Sequence, residues 1–149
     1  MFSFFRKKKY FTDAELTLIK STIEQAESGT SGEIRVLVEK STDGYDVLDR
    51  AAQHFEKLKM HKTALRNGVL IYLAMEEKQF AVAGDSGIHH YVKNEFWETV
   101  KLEMFDYLAD GKTIDGICHA VQMVGTELQK YFPHQSSDRN ELPNDVVMR

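Results

Sequence analysis

Cysteine is nearly absent from this chain, with Cys118 alone among 149 residues. A single thiol excludes an intrachain disulfide and a cysteine-built zinc site. Its place in an apolar helical pattern marks a buried, inert side chain. Long apolar runs are also missing: the longest, residues 69–75, falls far short of the ~20 residues that span a bilayer. Residues 1–9 put Phe2, Phe4 and Phe5 ahead of Arg6, Lys7, Lys8 and Lys9, the reverse of a secretory leader, and polar Thr12 and Asp13 follow. The expectation is a cytoplasmic protein with no transmembrane segment. Beyond that arm acidic residues outnumber basic ones. The formal net charge is -4, and an acidic body repels phosphate backbones, which argues against nucleic acid as a partner. Phosphate-binding and dinucleotide-binding loops, a His-Glu-x-x-His motif and a full EF-hand loop are all lacking.

What is present reads as one domain of alternating helices and strands. Thr12, Asp13, Ala14 and Glu15 make a capping-box pattern, after which Leu16, Ile19, Ile23 and Ala26 recur at helical spacing up to Gly29. Residues 32–40 alternate, with Ile34, Val36 and Val38 on one face, and predict a strand. Turn chemistry at 41–46 leads into a second helix carrying Leu48, Ala51, Ala52, Phe55 and Leu58. Residues 68–75 are almost continuously apolar, as in a strand buried on both faces. Glu76, Glu77 and Lys78 turn the chain into a third strand at 79–83, and two further helices run from Asn94 to Gly111 and from Ile114 to Pro133. The expected fold class is α/β, an αβα sandwich whose small central mixed sheet of three to four strands is flanked by helices. The fourth strand has no evident place. The domain is expected over 12–133, between a basic and aromatic arm at 1–11 and a polar surface tail at 134–149.

The acids in the loops carry the first functional reading. Open α/β sheets collect ligands at the loops leaving the carboxyl ends of their strands. Asp43 and Asp46 follow the first strand and Asp85 the third, and the glycines beside them let carbonyl groups turn toward a hard cation. Asp43, Asp46, Asp85 and, on the next helix, Glu95 are therefore candidate ligands for a divalent ion, with calcium first and magnesium or manganese behind it. The same aspartates also suit a purely structural role, Asp43 in an Asx turn and Asp46 and Asp85 as helix caps. His89 and His90 suit either a softer metal or ordinary packing. Gly84, Asp85, Ser86 and Gly87 copy the nucleophile loop of trypsin-like proteases, but the surrounding periodicity is helical and His54 lies too near in sequence for that architecture. Before the buried strand, Asn67 or Gly68 is expected to take a backbone conformation that other residues resist.

Four strings carry a wider likeness: Thr30-Ser31-Gly32-Glu33-Ile34-Arg35-Val36, Ala51-Ala52-Gln53-His54-Phe55, Arg66-Asn67-Gly68-Val69-Leu70-Ile71-Tyr72 and Gly84-Asp85-Ser86-Gly87-Ile88. In this order and spacing the chain resembles the TPM-domain family, named for a thylakoid lumen protein, a photosystem II repair protein and a nematode receptor modulator. The resemblance runs over roughly residues 12–132. It implies an αβα sandwich and a loop site that can hold calcium or another divalent ion, with Asp85 inside the family's glycine loop. Plant relatives of this kind have been described as acid phosphatases. Many relatives also carry a leader and a carboxyl-terminal membrane helix or glycine-rich tail, whereas here the domain is expected to stand alone.

The leading expectation is a cation-binding regulatory or interaction module with an unidentified protein partner. The alternative is a metal-dependent, acid phosphatase-like phosphomonoesterase. Such an enzyme needs an Asp nucleophile or metal-activated water and a cation for the phosphate, with Arg66 and Arg35 the basic residues on offer. Phe2, Phe4, Phe5 and the basic run also suggest weak contact with a membrane surface.

Overall fold

The computed structural model describes residues 10–134 and 141–149. The arm up to residue 9, and with it the suggested membrane contact, lies outside the described residues. Helix α1, Asp13–Glu27, starts at the expected capping box: the Glu15 amide donates to Thr12 Oγ1 at 3.1 Å and the Thr12 amide to Glu15 Oε1 at 2.8 Å. Phe11, assigned to the arm on sequence, is instead buried in the core just ahead of that cap. Strand β1, Glu33–Glu39, is buried along its whole length. Helix α2, Val47–Lys57, is capped by the Asp46 carboxylate and leads through a 3-10 turn, Met60–Lys62, to β2, Gly68–Ala74. Every residue of β2 is buried, as its continuous apolar run requires. Strand β3, Gln79–Gly84, is followed by a single helical turn, α3, Ser86–His89. Helices α4, Asn94–Ala109, and α5, Thr113–Tyr131, complete the main body.

The sheet order is β3-β2-β1-β4. β1 and β2 are parallel, from Glu33 opposite Gly68 to Glu39 opposite Ala74, and β2 and β3 are antiparallel, from Val69 opposite Gly84 to Ala74 opposite Gln79. Period-two alternation divides the core into two layers. Ile34, Val36 and Val38 meet Val69, Ile71 and Leu73 beneath α1, α4 and α5, where Ile19, Ile23, Val100, Ile117, Val121 and Val124 pack. On the opposite face Leu37, Leu70, Tyr72 and Ala81 lie against Ala51 of α2 and against Met60. This is the αβα sandwich with a mixed, four-stranded sheet.

The fourth strand comes from the segment assigned to a surface tail. β4, Val147–Met148, pairs in parallel with Leu37 and Val38, and the Arg149 amide donates to the Val38 carbonyl at 2.9 Å. Val146 and Met148 turn to the larger core layer, and Leu142 and Val147 to the smaller one. Residues 141–149 lack a readable pattern because a two-residue strand is too short to show alternation, yet they cover the free edge of β1. Deleting residues 142–149 should lower the melting temperature by about 5 °C or more, corresponding to roughly 2 kcal/mol at this size. An unchanged thermal melt of the shortened chain would show that β4 contributes nothing to stability.

Candidate functional site

The antiparallel return of β3 separates the residues chosen from the sequence. Asp85 follows Gly84 at the end of β3, and its amide donates to the Gly68 carbonyl at 2.9 Å, so it stands where β2 begins. Asp43 and Asp46 follow β1, whose last residue pairs with Ala74 at the end of β2. The length of β2, about 20 Å at strand rise, lies between them. Glu95 is exposed on the first turn of α4, and no hydrogen bond or ion pair joins it to the others. The four therefore do not converge on one ion. Among the described residues, no three His, Cys, Asp or Glu side chains are gathered closely enough to hold a metal.

At the β3 end, Asp85 is buried and caps α3, accepting the Ser86 amide at 2.7 Å. Arg66 grips the same carboxylate with two parallel bonds, Nε to Oδ2 at 2.7 Å and Nη2 to Oδ1 at 2.8 Å. Arg66, rather than Asn67 or Gly68, takes the left-handed conformation, with φ 52°. Its carbonyl accepts the Gly87 amide at 2.8 Å, and a Cβ on Gly87 would lie 2.1 Å from the Leu65 carbonyl oxygen, so only glycine allows this approach. Beside the pair opens a cleft of about 390 Å³, lined by Ala52, Phe55 and Glu56 of α2, by His61, and by residues 83–85.

At the opposite end, the loop 41–46 leaves β1 next to the β2–β3 hairpin. Asp43 and Gly44 are both left-handed, with φ 57° and 84°. Asp43 is exposed and its carboxylate accepts no hydrogen bond from the described residues, whereas Asp46 caps α2 through the Leu48 and Asp49 amides. The neighbouring Glu77 carboxylate accepts from Ser41 Oγ at 2.7 Å and from the Thr42 amide at 3.2 Å. The Ser41 bond, the largest influence, holds its pKa below the usual carboxylate value.

Beneath this loop lies a buried polar group that the sequence reading missed. Glu39 Oε1 accepts from Arg50 Nε at 2.8 Å and from the Tyr72 hydroxyl at 3.0 Å, and Oε2 lies 2.5 Å from His54 Nε2. Arg50 in turn sits 5.6 Å from the centroid of the Tyr45 ring, linking the loop to the core. Burial acts to raise the Glu39 pKa, but its bonds to Arg50, Tyr72 and His54 outweigh that and hold it down. Burial first, with Arg50 and Lys57 beside it, lowers the His54 pKa against the pull of Glu39, which favours a neutral ring donating to the carboxylate. Arg50 and His54 are spaced i, i+4 on α2, which was the available sequence signal; that both point at the last residue of β1 depends on the crossover.

The TPM-domain family model matches residues 5–127. The chain belongs to the TPM-domain family. Over this fold it is similar to the BA42 protein of the psychrophilic bacterium Bizionia argentinensis, solved by NMR, with TM-score 0.89 and 40% identity, covering 97% of this chain and 99% of that one. The N-terminal domain of the cg2496 protein from Corynebacterium glutamicum shares 17% identity at TM-score 0.66, over 89% of this chain and 82% of the other. An N-terminal domain from P. gingivalis shares 14% at TM-score 0.67, over 84% and 82%. These last two bear on the fold alone. No curated protein matches.

The charged groups of this TPM domain pull its stability in opposite directions with pH. Glu27, which accepts the Ile34 amide at 2.7 Å, is pushed up to about 8 by burial, and Glu33 to about 7, also chiefly by burial. The folded state holds those protons more tightly, so their contribution is full below the unfolded value of 4.5 and is lost as pH rises toward 7–8. His54 and Glu39, both depressed, stabilise above 6.5 and 4.5 and lose that contribution on acidification. Glu27→Gln keeps a carbonyl acceptor for Ile34 but cannot ionise. It should melt about 3 °C or more above the parent near pH 8.5 and match it near pH 5. Parallel melting curves for the two proteins across that range check the sign; an advantage confined to acid pH refutes it.

Proposed function

We propose that this TPM domain is a binding module that responds to a divalent cation, calcium before magnesium or manganese, through the loop 41–46. The observation that supports it is the exposed Asp43 carboxylate on a left-handed turn, next to Asp46 in sequence, at the shared carboxyl end of the parallel strands β1 and β2. That is the end of an open α/β sheet where ligands are generally taken. An ion there would be met by Asp43, by Asp46 Oδ1, the oxygen not used in capping α2, by loop carbonyl groups and by water. Because no three acidic groups stand ready among the described residues, the loop must draw in around the ion, and the affinity belongs in the weak range of about 10⁻⁴ to 10⁻³ M. A loop that tightens on binding suits a regulatory or partner-binding role. Asp85 does not belong to this reading, since both its oxygens are engaged by Arg66 and the Ser86 amide. The same engagement weighs against Asp85 as the nucleophile of a phosphomonoesterase, which needs an oxygen free to attack.

Calorimetric titration with calcium, together with thermal melting, tests the module. The parent should melt higher with calcium by mass action. Asp43→Asn should bind at least about 10-fold more weakly, about 1.4 kcal/mol, while Asp85→Asn should keep the parent affinity. Loss of calcium binding in Asp85→Asn with none in Asp43→Asn reverses the assignment, and no binding to any of the three ends it.

A further inference from the structure

The cleft beside Arg66 takes no part in the cation reading, and its chemistry points to a different ligand. Arg66 is held from one side: Nε and Nη2 are fixed on the buried Asp85, while Nη1 has no hydrogen-bond partner among the described residues and the side chain is 50% exposed. A planar guanidinium locked by two parallel bonds keeps its remaining N–H groups in a fixed direction, the arrangement that planar oxyanions recognise. The local sequence is basic, and its His61 and Arg66 line the cleft. Residues 57–66 contain Lys57, Lys59, His61, Lys62 and Arg66 and no acid, in a chain of net charge -4. Lys59, just before the 3-10 turn, and Arg66, four residues after it, both take positive φ values, 58° and 52°. Phe55, half-buried, gives the cleft an apolar wall opposite His61 and Arg66 in character. Two carboxylates share the cleft, Glu56 and the paired Asp85. They favour a singly charged anion, because a phosphate dianion would meet twice the repulsion.

We propose that this cleft binds a small monocarboxylate with an apolar body, the carboxylate on Arg66 and His61 and the body against Phe55. The cleft lies at the opposite end of the sheet from the loop 41–46, so its failure and the failure of the cation reading are separate outcomes.

The probes are benzoate, uncharged benzamide and phenylphosphonate, titrated into the ¹⁵N-labelled full chain by NMR. Benzoate should shift the amides of His61, Arg66, Gly84 and Gly87 saturably, and benzamide should not. In Arg66→Gln benzoate affinity should fall at least about 10-fold. If loss of the ion pair unfolds that variant, His61→Gln, which lies outside the pair, should weaken benzoate by about 3-fold with a native spectrum. Calcium response should be unaltered in His61→Gln. Equal shifts from benzamide and benzoate, tighter binding of phenylphosphonate, or parent-like benzoate affinity in every folded variant overturns the proposal.

Discussion

β1 and β2 run parallel through the middle of the sheet, paired from Glu33 and Gly68 to Glu39 and Ala74, and the other elements take their places from that pair. Both strands are buried on both faces, so helices must cover each side. A parallel pair needs a long crossover, and α2 with its 3-10 turn supplies it on the thinner face. The hairpin after β2 then has to run backwards. This one reversal puts Asp85 at the start of β2 and leaves the loop 41–46 beside the hairpin at the other end.

Each end of the pair is closed by a buried carboxylate gripped by an arginine. Glu39 is held by Arg50 where β1 ends, and Asp85 by Arg66 where β2 begins. Both acids are nearly inaccessible, and a buried charge left without its partner is costly, which ties α2 and the Arg66 turn to the sheet. The two clasps differ in what surrounds them. Glu39 has four bonds from three side chains, which suits structure. Asp85 engages Arg66 from one side only, beside open space, which suits recognition.

The helices and the two central strands were legible because their signals are local. A capping box acts within one turn, and the period of Ile34, Val36 and Val38 sets a strand face without help from elsewhere. The cap roles of Asp46 and Asp85 belong to the same class, since a side chain and the amides it accepts are neighbours in the chain. The candidate site was legible only as a set of residues. Grouping Asp85 with Asp43 treated the loop after the third strand as lying at the same end as the loop after the first, although the hairpin signal at 76–78 already reverses it.

By itself, then, the sequence determined the class of the domain, the helix starts, the buried faces and the residues able to carry charge chemistry, because each depends on contacts a few residues apart. Only the tertiary structure decided which of those residues meet. The Glu39 group draws on β1, α2 and β2, and Arg66 reaches Asp85 across 19 positions of chain. The last strand is the clearest case: Val147 and Met148 carry too little pattern to announce a strand, and they become one because β1 offers an unpaired edge.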